Sequence, residues 1–165
     1  REKRLVIFGC LAVVILRSYI GMAVTLPWKT TVFMGLFSVC AVVAGKIAGG
    51  FLAAKFGIRK TIVLSLLLAA VCYPFCGQVA AGWLALFFFN MTMPITLYLL
   101  VRRLPELSGF SFGLLTFGLF LGFLPVYFEC KLPVSGGLLG MLGSLISLLL
   151  LHIVTWKRKG EGLSD

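Results

Sequence analysis

Seven side chains in this sequence could do chemistry in an apolar setting, and they fall in two clusters with one outlier. Arg17, Ser18 and Tyr19 form the first cluster; Asn90, Thr92 and Thr96 surround Pro94 in the second; Lys46 stands alone between them. Each lies inside a long uncharged run, where a cation costs several kcal/mol unless it is paired or hydrated. A guanidinium offers a planar fork that can bind an anionic group, and hydroxyls and amides beside it could orient a small solute. Pro94 removes a backbone N–H and so frees carbonyls for a bend. The bland alternatives are open at each position. Arg17 could bond backbone carbonyls, Lys46 could snorkel to a headgroup layer, and the Asn and Thr groups could make interhelical bonds of about 0.6 kcal/mol each. No Asp or Glu lies within any apolar run, so Arg17 has no deep carboxylate partner and proton coupling has no deep acid.

The elements that hold these residues follow from composition. The 165-residue chain is 61% hydrophobic and 12% charged, with a mean hydropathy of +1.11. A soluble domain is about 45–50% apolar and about 25% charged, so the chain reads as an all-α membrane protein in contact with a lipid bilayer. The formal charge of +10 is gathered between apolar runs rather than along one polar face, which argues against a nucleic-acid partner. At 1.5 Å per residue a core of about 30 Å takes about 20 residues. Six spans fit, at roughly 5–26, 31–54, 61–77, 82–101, 109–128 and 136–156, each end good to about 2–4 residues. They form a six-helix transmembrane domain over 1–160, with a cytoplasmic tail over 157–165. The boundary between spans three and four rests on Pro74, Gly77, Gln78 and Gly82 alone.

Orientation follows from cation counts, because cytoplasmic loops hold the excess. Arg1, Lys3, Arg4, Lys55, Arg59, Lys60, Arg102, Arg103, Lys157, Arg158 and Lys159 fall on one side, against Lys29 and Lys131 on the other. Both termini are therefore expected in the cytoplasm, with the chain multi-pass in a plasma or inner membrane. Small residues at four-residue spacing, Gly45 and Gly49, then Gly109 and Gly113, then Gly118 and Gly122, mark helix packing in spans two and five. Span six is Leu-rich and suits lipid. The order of polar, Gly-rich and plain spans repeats after three, which would make the two triplets an inverted 3+3 repeat. The chain has one His and five cysteines; their scatter gives no metal site or other cofactor, no enzyme reading finds an acid or nucleophile at workable spacing, and a Cys76–Cys130 disulfide is left open.

The stretch Gly45 to Lys60 reads as a basic, water-exposed hinge between spans two and three. It resembles the signature loop of the major facilitator superfamily: a Gly, an aliphatic residue two further on, an Asp, a basic residue, a Gly and a basic run. Gly50, Leu52, Lys55, Gly57, Arg59 and Lys60 match, and Ala54 stands where that family has its Asp. The Leu16-Arg17-Ser18 and Asn90 to Thr96 stretches are similar to the fosmidomycin-resistance type of drug exporter within it. The resemblance implies a six-helix half of a major facilitator fold, like the C-terminal half. It implies efflux of a small anionic or amphiphilic solute by alternating access, and a second six-helix half as partner, either another copy or a missing N-terminal half. A membrane assembly or lipid-handling subunit is the alternative.

Overall fold

The computed structural model describes residues 2–129 and 134–156. Arg1, Cys130, Lys131 and the tail 157–165 lie outside them, and with these residues the Cys76–Cys130 pairing and part of the cation count. Among the described residues every regular element is a helix: α1 (Glu2–Ala23), α2 (Val32–Phe56), α3 (Ile58–Cys72), α4 (Val79–Asn90), α5 (Met93–Arg103), α6 (Ser108–Tyr127) and α7 (Gly136–Trp156). Joined end to end, α4 and α5 form one span, and the described residues hold six stretches long and apolar enough to cross a membrane. It is a multi-pass membrane protein.

The hinge is shorter than the sequence suggests. Lys55 closes α2, while Arg59 and Lys60 lie in the first turn of α3, so the only non-helical residue is Gly57, at φ 89°. That left-handed backbone is open to Gly at no steric cost. Cations at a helix N-terminus oppose its dipole. Arg59 resolves the conflict by donating Nη2 to the Thr155 carbonyl at 2.6 Å, at the end of α7 where the dipole favours a cation. At the other end of α2, Thr31 caps the helix by accepting from the Met34 N–H at 3.4 Å.

Span four departs from the single helix expected. Its ladder breaks at Met91 and Thr92, and α5 restarts with Pro94 in its first turn. A proline is tolerated there because the first turn's N–H groups have no intrahelical acceptor.

The main core joins α1, α3, α4, α5 and α7 through Cys10, Val13, Ile20, Leu66, Phe89, Ile95 and Leu151. Spans one and four pair in matched sets, whereas the contacts of α2 with α3 and of α5 with α6 have no counterpart of similar extent. The first, α1, packs on α6 and α7; the fourth, α4–α5, packs on α2 and α3; the first touches the fourth, and α3 touches α7. Glycines set the closest approaches. A Cβ at Gly45 or Gly49 would fall on the carbonyls of Phe87 and Met91, and one at Gly122 on the carbonyl of Ile15. At Gly118 it would lie 2.8 Å from Leu11 Cδ1. Gly109 and Gly113 are a correction: a Cβ there would meet nothing within 4 Å, because they lie on a different arc of α6 from the one turned to α1. Span six exposes Leu138, Leu142, Leu145 and Leu149 along its outer arc. On its inner arc α7 buries Ser144, Ser147 and Leu151 against α1 and α3, and α2 and α6 are the spans that bury least of their length.

Candidate functional site

Arg17 is 6% exposed and points at the break in span four. One Nη donates to Thr92 Oγ1 and the other to the Phe89 carbonyl, with the guanidinium carbon 4.7 Å from the centre of the Phe89 ring. Thr92 Oγ1 also donates to the Phe89 carbonyl, at 3.3 Å. In an unbroken helix that carbonyl would serve the N–H four residues on; the break turns it outward to a side chain. Lacking any acid at this depth, the cation is held by a carbonyl dipole, a hydroxyl and a π face. Arg17 thus takes the carbonyl-bonding role that the sequence left open beside substrate binding. It lies about 9 Å from the Ala23 end of α1, six residues away, and so off the middle of its span.

Beside this clamp is a cavity of about 260 Å³ lined by Arg17, Ser18, Lys46, Asn90 and Thr96 together with Val42, Leu86, Phe89 and Met93. Five of the sequence candidates therefore share one space, drawn from α1, α2, α4 and α5. Two do not line it: Thr92 is fully buried beneath the guanidinium, and Tyr19 packs against the main core. The polar groups are mostly committed. Ser18 Oγ donates to the Leu119 carbonyl at 2.6 Å, Asn90 Nδ2 to Leu86 at 2.8 Å and Thr96 Oγ1 to Met93 at 2.7 Å. Only Ser18 bonds across helices; the other two bond within their own turns.

Lys46 differs from all of them. It is exposed, with no hydrogen bond or ion pair to a described residue. Its neighbours in α2, Gly45 and Gly49, lie on Phe87 and Met91, so Lys46 sits at the level of the same Phe89 turn that holds Arg17. No protein-family model, curated protein or solved structure matches the chain.

A second cavity of about 530 Å³ adjoins the first, sharing Gly21, Met22, Val42, Tyr73 and Leu86, and reaches Thr25, Leu26 and Lys29 in the loop after α1. The sequence reading missed Tyr73, which is almost fully buried, meets Phe89 edge to face at 5.5 Å and borders both cavities. It also missed Ser38, buried in the first half of α2. Tyr73 lay in a stretch legible only as a turn signal; Ser38, a small polar residue in an apolar run, was the available cue for the other. Lys29, read only as a loop cation, stands at the mouth, its Cε close to Gly35 in the first turns of α2.

Proposed function

We propose that the chain is one six-helix half of a secondary transporter of the major facilitator type, moving a small anionic or amphiphilic solute by alternating access. The observation that carries this reading is the matched packing of spans one and four, each on the last two spans of the other triplet. Exchanging spans one, two and three for four, five and six turns the α1 pairing with α6 into the pairing of α4–α5 with α2, and the α1 pairing with α7 into that of α4–α5 with α3. The glycine contacts follow the same exchange: Gly45 and Gly49 against Phe87 and Met91, Gly118 and Gly122 against Leu11 and Ile15. Because each triplet crosses the membrane an odd number of times, the exchange is an inversion, the architecture of many secondary transporters. The broken span four belongs to the same pattern, since discontinuous helices at depth are tolerated where they line a cavity.

The spans left most open, α2 and α6, flank the cavity-lining α1 and α4–α5. A second six-helix unit, another copy or a partner half, would cover that face and enclose the site. By the cation count the Gly57 end, with Lys55, Arg59, Lys60, Arg102 and Arg103, is cytoplasmic and the Trp28 end faces outward. The test is solute flux in proteoliposomes containing the purified chain, read alongside its mass in detergent. Counterflow of an anionic solute by a dimer supports the proposal; a strict monomer that moves no solute, alone or with a candidate partner half, overturns it.

A further inference from the structure

We infer that the solute is a single-chain amphiphile with one anionic head, seated with its head at Lys46 and its chain along the second cavity towards Lys29. This deepens the transport reading and rests on it for the word solute, but the binding site stands on its own geometry. Ser18 and Thr96 spend their single donor hydrogens on backbone carbonyls and Asn90 spends one of its two, while Arg17 directs one N–H from each side of its fork to Phe89 and Thr92. Lys46 keeps its ammonium free among the described residues, and no carboxylate lines either cavity. A cation left unpaired at membrane depth is costly, and an anionic head satisfies it. Arg17 next to it adds positive field without surrendering its own bonds.

The shape of the space supplies the second half of the inference. From the Lys46 cavity the space continues past Met22, Val39, Val42 and Leu86 to Lys29, with Ser38, Thr25 and Tyr73 also in its mostly apolar wall. Gly35, which Lys29 overlies, is eleven residues before Lys46, about 16 Å along α2. A small inorganic anion would leave that trough empty, and an uncharged chain would leave Lys46 unmet. The larger cavity, about 530 Å³, lies in the range of about 300–1,000 Å³ that encloses one drug-sized ligand, which suits one chain.

The test is displacement of a fluorescent dansyl-undecanoate probe from the purified chain in phosphatidylcholine nanodiscs. Dodecanoate is expected to displace it at least tenfold better than dodecanol and far better than acetate. Lys46→Gln is expected to weaken dodecanoate at least tenfold, Lys46→Arg to restore most of it, and Lys29→Gln to change it under threefold. Because Lys46 is exposed, its variants fold, and a melting curve for each checks this. Equal binding of dodecanol, equal binding of acetate, or an unchanged affinity in Lys46→Gln would overturn the inference. Flux of another solute without dodecanoate binding overturns the amphiphile and leaves transport intact. Dodecanoate binding with no flux, alone or with a candidate partner half, does the reverse.

Discussion

Alanine at Gly49 should destabilise the fold, whereas alanine at Gly113 should not, although both glycines sit in four-residue pairs. At Gly49 the new methyl would overlap the Met91 carbonyl oxygen and lie 2.6 Å from both the carbonyl carbon and Cα of Met91, where carbon atoms prefer about 3.5–4.0 Å. Backbone cannot rotate away as a side chain can, so α2 must back off by roughly 1 Å. That movement loosens the Gly45 contact one turn earlier, where the corresponding atoms of Phe87 lie at 3.1 and 3.2 Å. Overpacking of this kind costs about 1–3 kcal/mol, and replacing Gly by Ala in a helix returns up to about 1 kcal/mol. The net expectation is a loss of up to about 2 kcal/mol at Gly49 and a gain of up to about 1 kcal/mol at Gly113, where nothing lies within 4 Å. Gly122→Ala, facing the Ile15 carbonyl and Ser18 Cβ at 2.6 Å, should behave like Gly49→Ala. Unfolding in mixed micelles by sodium dodecyl sulfate titration measures all three. If Gly49→Ala and Gly113→Ala fall within about 0.3 kcal/mol of each other, below the resolution expected of independent sites, the close-contact argument is wrong.

Three further outcomes are expected of the same assay. Arg17→Met removes the charged donor from the Phe89 carbonyl and Thr92 and should cost about 1–3 kcal/mol; Arg17→Lys should not restore it, because one ammonium cannot reproduce the fork, and full rescue by lysine would refute the two-point clamp. Ser147→Ala should be neutral or stabilising by up to about 1 kcal/mol, since Ser147 Oγ is buried with no hydrogen-bond partner among the described residues; a clear loss would mean that the hydroxyl has a partner in the membrane. Arg59→Gln removes the cation from the end of α7 and should cost about 0.3–1 kcal/mol, with the loss shrinking in high salt; an effect independent of salt would assign it to packing instead.

The six spans were legible because uncharged runs of about 20 residues have few alternatives. What was not legible depended on partners. Gly113 and Gly118 look alike in sequence, and only the arc of α6 turned to α1 separates them. Met91 and Thr92 carry no breaking signal; the break shows only as Pro94 two residues later, at a position that starts a helix as readily as it bends one. Span six exposes Leu138, Leu142, Leu145 and Leu149 while Ser144 and Ser147 lie buried on its inner arc; small residues on one arc are the sign that separates the two faces. Arg17 and Lys46 were both visible as deep cations. Which of them was already engaged depended on a carbonyl that the sequence could not show to be free.

That division of labour between the cations has a consequence that can be measured. Arg17 is held by the turn at Phe89, and Lys46 by nothing except the placement of α2, which is set where Gly45 meets Phe87 and Gly49 meets Met91. Sliding or lifting α2 therefore moves Lys46 relative to Arg17 without altering either charge. Gly45→Ala should do this, because its methyl would lie against the Phe87 carbonyl while Lys46, the next residue, keeps its ammonium. Dodecanoate affinity is expected to fall at least threefold in Gly45→Ala, with a melting curve that still reports a cooperative fold, and Gly113→Ala is the matched control with no change. A lower stability in Gly45→Ala with unaltered affinity would separate helix spacing from anion binding and refute the claim that the glycine contact positions the site.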